Sequence, residues 1–264
     1  MSTKLNVNQL QDGLCTRRFG RSILFSREVD STNKWAKELA TYGADEGTVA
    51  IAETQVKGRG RLDRDWISPT GGLWFSLILR PKVHPTEAVK LTFVAGLAVT
   101  KVLREMFDLG AETKWPNDVL VNGRKICGVL AEMNTIGETV SFVVLGVGVN
   151  VNFNVENVFP EQLKKVATSL EKELGRKVKL EKLFRALLER LENLYELFVK
   201  EGFNPILEEW KKYAGFLGCK VEVTGPTGKM SGLALDVDYE GALVLRLEDG
   251  TVKRVFVGDV SVRA

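Results

Sequence analysis

The stretch KWPNDVLVNGRKICGVLAEM, at residues 114–133, decides most about the fold of this chain. Asn122-Gly123 lies between two apolar runs, and this dipeptide is the strongest short-range signal for a β-hairpin. We therefore expect residues 119–121 and 125–133 to pair as antiparallel strands. Pro116 restricts Trp115 to an extended conformation, so a rigid segment leads into the first of these strands.

Outward from this hairpin, apolar patterns predict further strands and helices. The expected strands are residues 23–29, 47–54, 73–79 and 139–151, and the expected helices are residues 31–42, 86–107, 180–198 and 205–213. The short polar side chains of Ser31, Thr32 and Asn33 are expected to cap the first helix. The apolar stripe of the helix at 180–198 is typical of core packing.

The pattern changes after residue 215. Short apolar segments alternate with turns at Gly225-Pro226, Glu240-Gly241 and Asp249-Gly250. Short strands at this density predict a small β-barrel. We therefore divide the chain into two predicted domains, residues 1–215 and residues 216–264.

The composition is that of a globular protein, with 44% hydrophobic and 27% charged residues, which argues against disorder and coiled coil. The formal net charge of +3 favours neither nucleic acid nor a membrane surface as a partner. Three cysteines without a CxxC pair argue against a zinc ribbon and favour a reducing compartment. No apolar run approaches the ~18 residues of a spanning helix, so we expect a cytoplasmic protein. With His84 as the single histidine, His-based triads and metal sites are not expected.

Residues 55–66, QVKGRGRLDRDW, have the chemistry of an anion-binding loop. Glycine lets the backbone approach a ligand closely, and arginine supplies forked donors for phosphate or carboxylate. The segment contains neither a GxxxxGK[ST] loop nor the third glycine of a dinucleotide fingerprint. An anionic small ligand, a solvated basic turn and a nucleic-acid contact all stay open as interpretations. We expect this loop to be mobile until a ligand binds.

Three residues of the opening stretch, Asn117, Asp118 and Lys125, are candidates for binding a metal ion or an anion. Asn117 and Asp118 stand at a rigid strand entrance, where an amide and a carboxylate suit Mg²⁺ and phosphate; an Asx turn is the alternative. Strand alternation places Lys125 on one face with Cys127 and Val129. From there Lys125 would meet an anion held by the arginine-rich loop, unless it is simply a solvent-facing strand lysine.

Gly146 and Gly148 interrupt the apolar strand predicted at 139–151. Glycine inside a strand marks either the close approach of a ligand or neighbouring backbone, or a β-bulge. The pattern alone favours neither interpretation.

Taken together and in this order, these motifs resemble the signature blocks of the biotin protein ligases. The matching blocks are DSTN at 30–33, GRGRxxRxW at 58–66, KWPND at 114–118, KxxGVLxE at 125–132 and GVGVNVN at 146–152. The resemblance covers about residues 20–262, and it is closest to the short form without an N-terminal DNA-binding winged helix. Asp63 departs from the pattern, since the family usually has glycine there.

The resemblance implies an α/β (α+β) fold, with a mixed-sheet catalytic domain flanked by helices and a small C-terminal SH3-like β-barrel. It implies an ATP-dependent ligase that forms biotinyl-5′-AMP and transfers biotin to one lysine of an acceptor such as biotin carboxyl carrier protein. Biotin and ATP are then substrates, and Mg²⁺ accompanies ATP. A homodimer is expected, and DNA and membranes are not expected as partners.

The resemblance also assigns roles to individual residues. The expected catalytic residues are Lys125, Asp118 and Arg61. The expected biotin-binding residues are Ser31, Thr32, Asn33, Gln55, Gly58, Arg59, Gly60, Arg61, Lys125 and Gly128. The expected ATP-binding residues are Arg59, Arg61, Trp66, Asn117, Lys125 and Asn150, and Asn117 and Asp118 are expected to hold Mg²⁺.

Two other functions fit parts of the sequence. A lipoate protein ligase shares the fold and the acyl-adenylate chemistry, but its RRxSGGG-like block is absent from this chain. A non-catalytic nucleic-acid-binding protein would use the arginine-rich loop and the barrel, but the nearly balanced charge argues against it.

Overall fold

The computed structural model describes residues 5–62, 64–226 and 228–262, which form a seven-stranded and a five-stranded β-sheet with flanking helices. The strands of the larger sheet are β1 Ile23–Val29, β2 Val49–Gln55, β3 Leu73–Leu79, β4 Ala111–Lys114, β5 Asp118–Val121, β6 Arg124–Ile136 and β7 Thr139–Val149. The strands of the smaller sheet are β8 Lys220–Gly225, β9 Gly228–Val237, β10 Leu243–Leu247, β11 Val252–Val255 and β12 Asp259–Val262. The α-helices in this part of the chain are α1 Thr32–Thr41, α2 Pro85–Ala88, α3 Leu91–Phe107, α4 Val155–Val158, α5 Glu161–Lys164, α6 Leu170–Leu174, α7 Leu180–Glu201 and α8 Asn204–Lys211, and a 3₁₀ turn spans Val7–Gln9.

The larger sheet is mixed, in the order β1-β2-β3-β7-β6-β5-β4. β1 and β2 are parallel, and every other neighbouring pair in this sheet is antiparallel. The predicted hairpin joins β5 to β6, and Asn122 and Gly123 have φ angles of 51° and 71°. Two successive positive φ angles are what a type I′ turn requires, which explains the Asn-Gly pair. The predicted hairpin, mixed sheet and small C-terminal β-structure are confirmed.

The two faces of the larger sheet are covered by different helices. Ala50, Ile78 and Val144 pack with α1 on one face, whereas their sequence neighbours point to the opposite face, towards α3 and α7. This division follows from the period of two along a strand. The apolar stripe of α7 is buried in the core, as predicted.

The predicted helix at 86–107 is wrong in one respect, because a turn divides it into α2 and α3. Around Lys90 the backbone hydrogen bonds run three residues back rather than four, as in Phe93 N–H to Lys90 O at 2.9 Å. The Lys90 side chain is buried, forms an ion pair with Glu87, and has its Nζ 5.1 Å from the centroid of the Phe203 ring. The buried Lys90 side chain thus lies at the turn that separates α2 from α3.

The smaller sheet packs against the KWPND turn. Trp115 is fully buried, and its Nε1 donates to the carbonyl oxygen of Gly241 at 2.9 Å. The apolar core continues into the smaller sheet through residues such as Val223 and Leu245. The two sheets therefore share apolar contacts beside this turn. The division into two domains after residue 215 stays a prediction.

Among residues 5–62, 64–226 and 228–262, no helix has both the length and the apolar character to cross a membrane. The same residues contain no group of three or more His, Cys, Asp and Glu side chains that could hold a metal ion.

Candidate active site

A large cavity, of about 790 Å³, lies where the arginine-rich segment faces the larger sheet and the last strand of the smaller sheet. This volume suits a small-molecule ligand. The predicted site residues that line it are Ser31, Thr32, Asn33, Gln55, Arg59, Gly60, Arg61, Trp66, Asn117, Asp118, Lys125, Gly128 and Asn150. Gly58 is the predicted site residue that does not line it. The fold therefore brings residues from all five motifs to one place, and their individual roles stay predictions.

The arginine-rich segment forms a narrow hairpin over the cavity. Gln55 pairs with Ser68 across it, and the N–H of Trp66 donates to the carbonyl oxygen of Gly58 at 2.9 Å. A Cβ atom on Gly58 would lie 2.2 Å from the carbonyl oxygen of Trp66. Glycine is therefore needed at this position because the two arms of the hairpin approach each other closely. Asp63, the departure from the family pattern, lies outside the described residues.

The two glycines of β7 let side chains lie directly on the sheet. A Cβ atom on Gly146 would lie 2.0 Å from Asn33 Oδ1, and one on Gly148 would lie 2.6 Å from Trp66 Nε1. β7 pairs with β3 in an unbroken register, so the β-bulge interpretation is wrong. The close approach is made by side chains of the site itself.

One end of the cavity, which we call the neutral end, is lined by Thr32, Asn33 and Gln55, with the buried Ser68 and Ser76 behind them. Gln55 Oε1 accepts from the backbone N–H of Thr32 at 2.8 Å, and Gln55 Nε2 lies 2.7 Å from Ser68 Oγ. Ser76 Oγ lies 2.8 Å from Thr32 Oγ1 and 2.6 Å from Asn33 Oδ1. These uncharged donors and acceptors suit a neutral ring with carbonyl and N–H groups.

The predicted capping of α1 is corrected by these contacts. Ser31 occupies the N-cap position, but its side chain makes no capping hydrogen bond. The side chain of Gln55 satisfies the N–H of Thr32 instead. The start of α1 is thus tied to the first residue of the arginine-rich hairpin.

Sequence reasoning did not select two residues that complete the neutral end. Glu132 accepts from Asn33 Nδ2 at 2.8 Å and from Arg59 Nη1 at 3.2 Å, so it links the neutral end to the hairpin. Glu132 is the last residue of the KxxGVLxE motif, and this position in a motif was the feature of the sequence that could have identified it. Ser76 is fully buried, and its signal is a hydroxyl within the apolar strand LWFSLIL.

Lys125 faces the cavity because of a β-bulge in β6. Val119 pairs with Cys127 but the next residue, Leu120, pairs with Lys125, so one residue of β6 is extra. The prediction that Lys125 and Cys127 share a face is therefore wrong. A Cβ atom on Gly128 would lie 3.2 Å from Lys125 Cε, which places the lysine on the cavity face. Cys127 points into the core, and burial raises the pKa of its thiol, which disfavours a reactive thiolate.

The opposite end of the cavity, the charged end, consists of Arg61, Lys114, Asn117, Asp118 and Lys125. Lys125 Nζ lies 2.7 Å from Asp118 Oδ1, and Lys114 Nζ lies 3.5 Å from Asp118 Oδ2. Arg61 Nη1 donates to Asn117 Oδ1 at 3.2 Å. Cations outnumber carboxylates here, so this end favours an anionic ligand such as phosphate.

The arrangement of Asn117 and Asp118 does not fit the predicted Mg²⁺ ligation. Both oxygens of Asp118 face ammonium groups, and Asn117 Oδ1 faces a guanidinium. The amide of Asn117 also donates to the carbonyl oxygen of Val129 at 2.6 Å, which fixes its orientation. A dication at these oxygens would stand beside three cationic side chains, which like-charge repulsion opposes.

Asp259, at the start of β12, is a further residue that sequence reasoning did not select. Its Oδ1 lies 3.5 Å from Arg61 Nη1, and its Oδ2 lies 2.5 Å from Arg64 Nη1. Arg61 also donates to the carbonyl oxygen of Gly258 at 3.2 Å. Burial lowers the pKa of the Arg61 guanidinium, whereas Asp259 and Asp118 act to raise it. The smaller sheet therefore holds the arginine-rich hairpin in place.

Unsatisfied polar atoms concentrate at this cavity. In the described part of the chain, Trp66 Nε1 and Asn150 Oδ1 are buried without a hydrogen bond, and both residues line the cavity; the buried oxygens Asp118 Oδ1 and Asp259 Oδ2 have ion-pair partners in Lys125 and Arg64. Buried polar atoms are normally hydrogen-bonded, so these two atoms mark a place where a ligand supplies the partners. The indole of Trp66 also has Lys125 Nζ 5.0 Å from its ring centroid.

Comparison with known proteins agrees with the geometry. The biotin/lipoate A/B protein ligase family matches residues 25–150, and the biotin protein ligase C-terminal domain matches residues 216–263. The bifunctional ligase/repressor BirA of Bacillus subtilis is 37% identical over 258 residues, which are 97% of this chain and 79% of that protein. The biotin–[acetyl-CoA-carboxylase] ligase of Mycobacterium tuberculosis is 35% identical over 97% of this chain and 95% of that protein.

A solved structure extends the likeness to three dimensions. The biotin protein ligase from Aquifex aeolicus in complex with biotin and ATP superposes with a TM-score of 0.78 and 30% identity, over 92% of this chain and 99% of that one. Sequence motifs, sheet order, cavity and relatives all lead to one assignment. The chain belongs to the biotin protein ligase family.

Proposed function

We propose that this chain is an ATP-dependent ligase, which activates biotin as biotinyl-5′-AMP and transfers the biotinyl group to a lysine of an acceptor protein. The observation that carries the proposal is a single cavity with a neutral hydrogen-bonding end and a cationic end. The neutral end suits the ureido ring of biotin, and the charged end suits the phosphates of ATP. The carboxylate of biotin and the α-phosphate then meet between the two ends.

In the first half-reaction, a carboxylate oxygen of biotin attacks the α-phosphorus of ATP. The bond from that phosphorus to the bridging oxygen breaks, and pyrophosphate leaves with the electron pair. Two anions must approach each other, so fixed positive charge in a partly dry site lowers the barrier. Lys125 and Arg61 line the cavity and are the cations that we assign to this task.

In the second half-reaction, the amine of the acceptor lysine attacks the biotinyl carbonyl carbon, and AMP leaves. The amine must lose a proton. We assign that proton to Asp118, whose carboxylate lines the cavity between Lys125 and Lys114, because the alternative role in metal binding does not fit these two lysine neighbours. Trp66 remains our candidate for contact with adenine, since its indole lines the cavity.

Several finer points of the proposal rest on the family resemblance alone. They are that ATP is used together with Mg²⁺, that biotin carboxyl carrier protein is the acceptor, that the enzyme is a homodimer, and that it works in the cytoplasm without binding DNA. Omitting Mg²⁺, gel filtration with light scattering, and a mobility-shift assay with the protein's own upstream DNA test three of these points directly.

The decisive experiment measures pyrophosphate release from ATP with biotin and with lipoate, side by side. We expect release and labelled acyl-adenylate with biotin, and background release with lipoate. A parallel reaction with Lys125→Ala controls for contaminating ATPases. Adenylate formation from lipoate but not from biotin would overturn the proposal.

A further inference from the structure

Glu173 of α6 is a carboxylate enclosed by the protein, and it does not line the cavity. Its side chain is 5% exposed. It accepts hydrogen bonds from Asn122 Nδ2 at 2.7 Å, from Arg124 Nη2 at 2.9 Å and from the hydroxyl of Thr168. Removing the partners of a buried charge is costly, so the carboxylate and its three donors hold one another in place.

The backbone of Lys125 is held by residues 166–168 at a point that β7 no longer reaches. β7 ends opposite Cys127. Beyond that point the N–H of Lys125 donates to the carbonyl oxygen of Val166 at 2.7 Å, and the carbonyl oxygen of Lys125 accepts from the N–H of Thr168 at 2.9 Å. Residues 166–168 therefore take the place of β7 beside the lysine.

Glu173 ties together the two segments that flank Lys125. Asn122 and Arg124 lie at the hairpin turn just before the lysine, and residues 166–168 pair with it. β6 is bulged directly after Lys125, so the regular alternation of the strand does not by itself fix the direction of this side chain. The direction depends on how the turn and residues 166–168 are held.

We infer that Glu173 is a positioning residue for Lys125 that fixes the turn and residues 166–168, so that the lysine ammonium stays on the cavity face where the two reacting anions meet. The inference rests on the proposed function, in which Lys125 stabilises the charge that develops during adenylate formation. Because Glu173 does not line the cavity, its loss should slow adenylate formation without weakening the binding of biotin.

The expected loss is smaller than that for Lys125 itself, because a second tie on residues 166–168 survives. The carbonyl oxygen of Thr168 also accepts from Asn150 Nδ2 at 2.9 Å. A displacement of about 1 Å in a catalytic group costs up to about 100-fold in rate, so we expect adenylate formation to slow about 10- to 30-fold in Glu173→Ala. Thr168→Val removes one of the three hydrogen bonds and keeps the shape of the side chain, so it should slow the reaction about three- to tenfold.

The test measures single-turnover adenylate formation and calorimetric binding of biotin for Glu173→Ala and Thr168→Val, for each of them combined with Lys125→Ala, and for Thr168→Ser and Glu209→Ala. Glu209 is the matched control, because its carboxylate accepts from Lys101 at 2.8 Å and from Lys212 at 2.6 Å, away from the cavity. Circular dichroism of each variant establishes that it is folded.

Dependence on Lys125 separates positioning from a general loosening of the structure. With Lys125 present, Glu173→Ala and Thr168→Val should slow adenylate formation and leave the dissociation constant of biotin unchanged. In the Lys125→Ala background neither change should slow the reaction further, because no ammonium group is left to position and residues that act as a unit are not additive. Thr168→Ser, which keeps the hydroxyl, should retain most of the wild-type rate, and Glu209→Ala should change neither value.

Three results would overturn the role of Glu173. The first is an equal slowing by Glu173→Ala with and without Lys125, which would indicate loosened structure only; Thr168→Val decides this point should the alanine variant not fold. The second is an unchanged rate in the folded variants. The third is a Lys125→Ala enzyme as fast as the wild type, because Glu173 would then have nothing to position. Failure of the proposed function is distinguishable, because the wild type would then release no pyrophosphate with biotin.

Discussion

At the neutral end of the cavity the polar contacts are made by side chains of the sheet and α1, whereas at the charged end the cations contact carboxylates from several elements. Thr32 and Asn33 are each 4% exposed, and Ser76 is completely buried. The side chains of Arg61 and Lys125 at the charged end are 21% and 32% exposed, and those of Arg59 and Arg64 in the hairpin above it are 50% and 58% exposed. The neutral end is therefore the most enclosed, and exposure rises through the charged end to the arginine-rich hairpin.

The difference shows how one cavity can treat two ligands differently. Buried hydrogen-bonding groups in fixed rotamers discriminate strongly between ligands, because any mismatch leaves a group unpaired. Exposed ion pairs are weak, of about 0–1 kcal/mol, so an incoming phosphate displaces Glu132 or Asp259 from an arginine at small cost. We therefore expect the neutral end to control which acid is activated, and the charged end to control rate and closure.

The largest effect that separates the two ends is expected for Lys125→Ala. Loss of a cation that stabilises developing charge costs about 3–4 kcal/mol of barrier, or about 100- to 1,000-fold in the rate of adenylate formation. Biotin binding alone should change little, because the neutral end is intact. Single-turnover adenylate formation and calorimetry of biotin measure the two quantities.

Two further variants separate charge from geometry at Lys125. Lys125→Gln keeps much of the bulk without the charge, and Lys125→Arg keeps the charge on a planar fork, so both should rescue poorly. Lys101→Ala is the matched control, because Lys101 is a partly buried lysine paired with Glu209 at 2.8 Å, away from the cavity. Folded Lys125 variants that all form adenylate within tenfold of the wild type would remove this residue from the mechanism.

The next largest effect is expected at the neutral end, for Gly146→Ala. The added Cβ would lie 2.0 Å from Asn33 Oδ1, and Asn33 cannot give way without breaking its bonds to Ser76 and Glu132. We expect the dissociation constant of biotin to rise about 10- to 100-fold, as the loss of one or two buried hydrogen bonds implies. The dissociation constant of ATP should change much less.

Gly110→Ala is the control for this substitution, because a Cβ on Gly110 meets nothing within 4 Å. Calorimetry with biotin and with ATP on both variants measures the contrast. Unchanged biotin binding by a folded Gly146→Ala variant would show that the neutral end is not preformed as described.

The arginine-rich hairpin should show an intermediate effect in limited proteolysis. The exposed side chains of Arg59 and Arg64 are trypsin sites, and ion pairs at the surface link them to Glu132 and Asp259. We expect cleavage there in the free protein and suppression by biotin plus ATP, as a closing lid requires. Mass spectrometry of the fragments identifies the cleavage sites. Equal cleavage of the hairpin with and without biotin plus ATP would count against closure.

The same contrast explains what the sequence could and could not predict. Of the predicted site residues, all but Gly58 line the cavity, because glycine, arginine and Pro-Asn patterns carry their chemistry locally. Lys125 and Cys127 were wrongly predicted to share a face, because a bulge one residue long reverses the alternation between them and leaves no mark in the apolar pattern. Ser76 and Asp259 were missed because their roles depend on the pairing of β3 with β7 and on the packing of the smaller sheet.

The smallest effect is expected for Asp259→Asn, which tests the link between the smaller sheet and the hairpin. The substitution keeps the size of the side chain but removes the charge that faces Arg61 and Arg64. Because Arg64 is largely exposed, the lost attraction should be worth at most about 1 kcal/mol, so trypsin cleavage of the free hairpin should rise about two- to fivefold. With biotin and ATP bound, the arginines have phosphate partners, and cleavage should return to the wild-type value.

Asp249→Asn is the matched control, since Asp249 accepts from the N–H of Thr251 in a turn of the smaller sheet. High salt should reduce the difference between Asp259→Asn and the wild type, because screening weakens exposed ion pairs in both. A cleavage rate in Asp259→Asn equal to that of the wild type at low salt would show that the carboxylate of Asp259 does not restrain the hairpin.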